Sequence, residues 1–211
     1  MIILGINVYH ADTSACLIKN GNLIAASEEE RFTRIKHYSG FPANSIKFCL
    51  KKANISFKEI DYITVNFNLN YNFYERFKFA FSNLKSSNLL NKLFSLINKR
   101  SLHSQFQEYF GENVKDKIIF VPHHISHISS SYYTSGFKDA VGVSIDATGD
   151  FSTMEITEYK NNKINLISKN FYPHSLGILY QAITQFLGFK NYGDEYKVMA
   201  LAAFGNPKYK N

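Results

Sequence analysis

The stretch Pro122-His123-His124-Ile125-Ser126-His127 places two imidazoles, His123 and His127, four residues apart. On a helix that spacing projects both rings from one face, where neutral imidazoles can share one metal ion. Such a pair also occurs on surface helices that bind nothing. Asp146 adds a carboxylate, placed where the apolar run Ala140-Val141-Gly142-Val143-Ser144-Ile145 gives way to Ala147-Thr148-Gly149-Asp150. A carboxylate at a strand terminus, beside a glycine turn that admits a phosphate, suits a metal or phosphate site. The plainer alternative is a turn aspartate bonded to its own loop.

Three further stretches carry reactive side chains. His10, Asp12 and Ser14 fall in a short polar loop, able to contact a phosphate or move a proton or simply to be solvated. Residues 28–37 run through three glutamates and then Arg31, Arg34, Lys36 and His37. Those bases can neutralise an acyl phosphate, or the stretch can be a charged solvent-facing turn. Gly193-Asp194-Glu195 opens an apolar helix and reads either as an anion site at a helix N-terminus or as an ordinary helix start.

The elements that must position these groups follow from pattern. Residues 2–9, 14–18 and 22–27 read as strands, the last two joined by a hairpin at Lys19-Asn20-Gly21. A helix is expected over 43–53, a strand over 59–67, and helices in an insertion at about 70–112. A strand over 118–121 leads into a helix over 124–135 closed by Gly136. Strands are expected over 139–146, 152–159 and 163–168, with a turn at Asn161-Asn162. A helix over 175–187 ends at Gly188, and a short one covers 194–203. The order βββ-α-β-(helices)-β-α-βββ-α predicts a mixed α/β fold, and no internal repeat is visible.

The 211 residues are 45% hydrophobic with 19 Phe and 14 Tyr, ample material for a core. Twenty-four basic against 17 acidic residues give a formal charge of +7. The lysines are scattered rather than clustered, which argues against a nucleic-acid-binding run and suits anionic small substrates. Cys16 and Cys49 form no metal or disulfide pattern. No signal-peptide pattern and no apolar run of membrane-spanning length is present, so a cytoplasmic protein is expected.

Five segments in order resemble the carbamoyltransferases that include the nodulation and cephalosporin O-carbamoyltransferases, the NodU/CmcH group. They are GINVYHADTSACLIKNGNLIAASEEERFTRIKHYSGFP, HHISH, VSIDATGD, SLGILYQAITQFLGF and GDEYKVMALAAFG. Residues 68–115 carry none of these motifs. The resemblance implies a lobe of the actin/hexokinase/chaperone (ASKHA-like) superfamily. It implies transfer of a carbamoyl group from carbamoyl phosphate, through carbamoyl-adenylate made with ATP, to a hydroxyl of a small-molecule or sugar acceptor.

Carried over residue by residue, the resemblance makes His123, His127 and Asp146 ligands of a divalent metal, iron by analogy. It gives His10 a role in proton transfer and Lys36 one in charge neutralisation, and it places Asp12, Gly149 and Asp150 toward the nucleotide. His124 is a supporting residue, and Glu195 and Lys197 match the last motif without a defined role. Full members of the family continue into a second lobe and a C-terminal domain. The expectation is therefore an N-terminal lobe over 1–211 that relies on a second lobe or on self-association. Two alternatives stay open: a non-catalytic metal- or nucleotide-binding lobe, and a relative of the tRNA threonylcarbamoyl-transfer enzymes.

Overall fold

Strand β1 (Ile2–Asn7) carries Leu4 and Ile6 on one face, and both are buried, as period-two alternation requires. The computed structural model describes residues 1–82, 102–161 and 163–208. The chain forms two compact units, Met1–Ser126 and His127–Asn211, described separately below.

In the first unit β1 pairs antiparallel with β2 (Ser14–Lys19), which pairs antiparallel with β3 (Asn22–Glu28). The β2–β3 turn places Asn20 at φ 51° and Gly21 at φ 82°. Two successive left-handed residues are what a tight hairpin of matching twist demands, and Asn-Gly supplies them at little steric cost. On its other side β1 pairs parallel with β4 (Tyr62–Val65), and β4 with β5 (Ile118–Phe120), giving a mixed sheet ordered β3-β2-β1-β4-β5. The strand expected over 59–67 is shorter because Ser56 and Glu59 close a capping box around a 3₁₀ turn at Phe57–Glu59.

The three acids at 28–30 are not a solvated turn. Glu30 opens a single-turn helix, α1 (Glu30–Thr33), and Glu29 is only 2% exposed. The Glu29 carboxylate accepts from Asn44 N at 3.1 Å, Asn44 Nδ2 at 2.7 Å, Ser45 N at 2.8 Å and Ser45 Oγ at 2.8 Å. These partners open helix α2 (Ala43–Ala53), whose own N-cap is Pro42 and offers no side-chain acceptor. A buried anion thus satisfies N–H groups that the helix cannot satisfy itself, at the positive end of its dipole. Ile46 and Cys49 of α2 complete the core with Leu17, Ile63 and Val65.

The expected helical insertion appears as α3 (Phe73–Ser82) and α4 (Leu102–Phe110), while 83–101 lies outside the described residues. Helix α4 is a core element. Its Phe106 is fully buried, with ring centroids 5.0 Å from Phe41 and 5.6 Å from Phe57. Helix α3 buries none of its residues and stacks Phe73, Phe77 and Phe81 along one side.

Helix α5 (His123–Ser135) starts one residue earlier than pattern suggests, and the boundary between the units falls inside it. Gly136 follows at φ 76°. In the second unit, β6 (Ala140–Gly149), β7 (Ser152–Lys160) and β8 (Lys163–Phe171) form an antiparallel sheet in that order. Both β6 and β8 run three residues past the expected limits of 146 and 168: β6 resumes pairing at Gly149 opposite Ser152, and β8 stays paired through Phe171. Asn161 turns at φ 51° into β8, and Asn162 lies outside the described residues.

A Cβ on Gly142 would stand 2.0 Å from Ile128 Cγ2, so only glycine lets α5 approach β6 this closely. Helix α6 (Leu176–Phe186) has Ser175 as N-cap, with its Oγ accepting from Ile178 N. It ends with Gly188 N donating to Gln185 O and Phe189 N to Thr184 O, the paired bonds of a glycine-terminated helix. Helix α7 (Glu195–Leu201) and a 3₁₀ turn at Ala202–Phe204 follow. No helix among the described residues is long and apolar enough to cross a membrane.

Both cysteines are free thiols. Burial, reinforced by neighbouring Cys16, pushes the Cys49 thiol up to about 11, and burial raises Cys16 as well. Since the thiolate is the reactive form, neither thiol should react appreciably with a disulfide reagent at pH 7.5 in the native chain, and both should react in denaturant. Replacing Glu29 with Ala should cost about 3 kcal/mol in urea-unfolding stability, from hydrogen bonds to a buried charged acceptor.

Candidate metal centre

Helix α5 follows directly on β5 and Pro122, whose carbonyl accepts from Ser126 N at 2.9 Å to begin the helical ladder. Proline suits the residue before a helix, where no donor is needed. His123 and His127 therefore sit on successive turns of one helix. The side-chain donor atoms of His123, His127 and Asp146 lie within 4.8 Å of one another, and His127 Nε2 is 3.6 Å from Asp146 Oδ2.

A first-row divalent ion with bonds of about 2.1 Å holds its ligands about 3–4 Å apart, so small side-chain rotations close this triangle. Two imidazoles and one carboxylate leave further coordination positions open, the arrangement expected where oxygen ligands from a substrate must also bind. The donor set fits a metal on chemical grounds.

Asp146 is not at the end of its strand, as the sequence suggested. It stands where pairing is interrupted. The β6–β7 ladder holds to Ile145 opposite Met154 and resumes with Gly149 opposite Ser152, leaving Asp146–Thr148 to bulge opposite Thr153. This extra chain turns the Asp146 carboxylate out of the regular ladder, the kind of re-aiming that bulges perform beside functional sites.

The bulge is clamped from α6. Ser175 Oγ lies 3.1 Å from Asp146 O and 2.8 Å from Ala147 O, in position to donate to either. A Cβ on Gly177 would stand 2.5 Å from Ala147 N and 2.6 Å from Asp146 C. The Ser-Leu-Gly opening of α6 thus exists to receive the Asp146 backbone. In sequence Ser175 reads as part of the helix, and Gly177 carries no assigned role. The signal available was a glycine in the first turn of a strongly apolar helix, where it costs helix stability.

His10 lies beside His123 within the first unit. Its ring centroid is 6.2 Å from that of His123 and 6.1 Å from that of Phe67. The loop that carries it is stitched to the segment that carries Lys36. Tyr9 N donates to Gly40 O, Thr13 N to Tyr38 O, and His37 Nδ1 lies 3.0 Å from Asp12 Oδ1. Asp12 also takes a left-handed backbone, φ 62°, and its carbonyl accepts from Asn7 Nδ2. Its carboxylate therefore serves this inter-loop bond. Lys36 is exposed on the same segment.

The other expected residues fall as follows. Gly149 is buried in a ladder pair and has no left-handed backbone; the turn is made instead by Asp150 and Phe151, at φ 49° and 72°. His124 is fully buried. The helix start at Gly193 is not an open anion site. Asp194 there accepts from Asn191 N and pairs with Lys197 Nζ at 2.6 Å, and the ammonium holds its carboxyl below the usual range.

A family profile described as the carbamoyltransferase N-terminus matches residues 2–211. The chain belongs to the carbamoyltransferase family. Among curated relatives, an uncharacterized protein of Synechocystis is 36% identical over 98% of the chain and 35% of its own length. The nodulation protein NolNO of Sinorhizobium fredii is 34% identical over 95% of the chain and 29% of its own length. The chain thus spans about a third of the length of these relatives. Among solved structures, a ROK hexokinase from Thermus thermophilus matches with a TM-score of 0.48 at 8% identity, over 99% of this chain and 71% of its own.

Replacing Gly177 with Ala forces the α6 backbone away from Asp146. It should lower stability by about 1–3 kcal/mol and weaken binding of a divalent ion such as Co²⁺, checked by thermal unfolding and by titration of the visible cobalt spectrum.

Proposed function

We propose that the chain is the amino-terminal part of an ATP-dependent O-carbamoyltransferase whose metal centre is His123, His127 and Asp146. The observation that carries this reading is the convergence of those three donors in a chain that belongs to the carbamoyltransferase family.

In this reading carbamoyl phosphate is hydrolysed to carbamate and phosphate. A carbamate oxygen then attacks the α-phosphorus of ATP and displaces pyrophosphate, forming carbamoyl-adenylate. The acceptor hydroxyl attacks the carbamoyl carbon, loses its proton and releases AMP. A divalent ion, iron by family resemblance, supplies a positive centre for phosphate oxygens.

His10, beside His123, is placed to hold or move the proton of the hydrolytic step. Lys36 supplies charge to the phosphate, and the Asp12–His37 bond keeps the Lys36 segment against the His10 loop. Asp150, at the tip of the β6–β7 turn, and the adjoining Gly149 backbone are assigned to the nucleotide side. The acceptor is a small-molecule or sugar hydroxyl. A second lobe or a further copy of the chain completes the catalytic assembly.

Metal content after loading with ferrous ion should be close to one per chain and should vanish in the His123→Ala/His127→Ala double variant; undiminished metal in that variant sinks the assignment. With ATP, carbamoyl phosphate and ferrous ion, phosphate and pyrophosphate release should exceed that of His123→Ala. Release unchanged by that substitution removes the centre from the reaction.

A further inference from the structure

The sheet of the second unit carries charge where a core is expected. Glu155, in the middle of β7, is fully buried, and Lys169 of β8 is 10% exposed in its side chain. They are direct cross-strand partners, and Lys169 Nζ donates to Glu155 Oε1 at 3.0 Å. On its other side Glu155 is paired in register with buried Ser144 of β6. A polar row Ser144–Glu155–Lys169 therefore crosses all three strands at one level. Glu155 Oε2 makes no hydrogen bond among the described residues, and neither does the buried Thr157 Oγ1.

A buried ion pair is a poor way to stabilise a sheet. Desolvation offsets the attraction, and apolar residues of similar volume generally do as well or better. An incompletely bonded carboxylate makes the bargain worse. Residues that break the local rule without a stability gain are expected where a site must be held in place.

The site held here is the Asp146 bulge. Ser144 stands two residues before Asp146. At the far end, Gly149 pairs with Ser152, and Ser152 Oγ lies 3.0 Å from both Gly149 O and Glu155 Oε1. Glu155 thus touches both moorings of the bulge: the Ser144 level through strand pairing, and the Gly149 end through the Ser152 hydroxyl. Lys169 fixes the carboxylate between them.

We infer that Glu155 and Lys169 are a positioning pair for the metal centre: they set the span of the Asp146–Thr148 bulge, and with it the approach of the Asp146 carboxylate to His127. Neither residue is among the three donors of the proposed centre. The inference rests on the proposed centre, so its test must separate the two.

The test is Co²⁺ titration of the 211-residue chain, read by visible absorbance, with thermal unfolding in parallel. His127→Ala reports on the centre itself, and its loss of Co²⁺ binding is expected. The double variant Glu155→Leu/Lys169→Leu removes the charges together and should melt at or above the wild-type temperature. It should nevertheless bind Co²⁺ about 10–100-fold more weakly, the range typical of lost outer support, with altered d–d bands. Glu155→Gln keeps the shape and gives the same readout if the double variant fails to fold. A folded variant with wild-type affinity and spectrum, alongside a His127→Ala chain that has lost Co²⁺, overturns the positioning role and leaves the centre standing. A wild-type chain that binds no Co²⁺, or a His127→Ala chain that binds it undiminished, overturns both.

Discussion

The break in the β6–β7 ladder between Ile145 and Gly149 is the constraint on which the candidate centre depends. A regular strand alternates its side chains between two faces, and its backbone groups are consumed by its neighbours. The bulge frees Asp146 from that alternation but exposes two carbonyls that then need partners. Ser175 meets that need, and Gly177 clears the space in which it can be met. The close seating of α5 against Gly142 is the complementary requirement, because it sets how near the helix bearing His127 comes to the strand bearing Asp146.

The first unit solves a different problem with the same economy. Its loops are irregular, with Tyr9, Asp12, Arg34 and His37 all in left-handed backbone. Conformations of that kind persist only where surrounding bonds over-determine them. The backbone bonds from Tyr9 and Thr13 into residues 38–40, the Asp12–His37 contact and the Glu29 clamp on α2 together provide those bonds. The loop carrying His10 and the segment carrying Lys36 are one mechanical piece.

Much of this was legible in the sequence. Asn20-Gly21 dictates its turn, the 43–53 periodicity its helix, and the HxxxH spacing brings two rings to one helical face because local geometry alone settles each. Asp146 was legible as a candidate ligand for the same reason. What could not be read was anything that depends on a partner distant in sequence. Glu29 reads as solvated charge until Asn44 and Ser45 are folded over it. Gly149 reads as a turn glycine until Ser152 pairs with it and passes the turn to Asp150 and Phe151. The pairing of Glu155 with Lys169 depends on the β7–β8 register, since alternation names a face but neither its neighbours nor which face is covered.

Ser175 carries a consequence of its own. One hydroxyl accepts from the first turn of α6 and is placed to donate to the backbone of the Asp146 bulge. The helix and the Asp146 bulge therefore share a single atom as a common fastener. Neither can order or fray without disturbing the other, so the Asp146 bulge and α6 form one cooperative unit of local folding. Local opening that releases the carboxylate must also unwind the start of that helix, and the Asp146 bulge inherits the helix's lifetime rather than that of an ordinary surface loop.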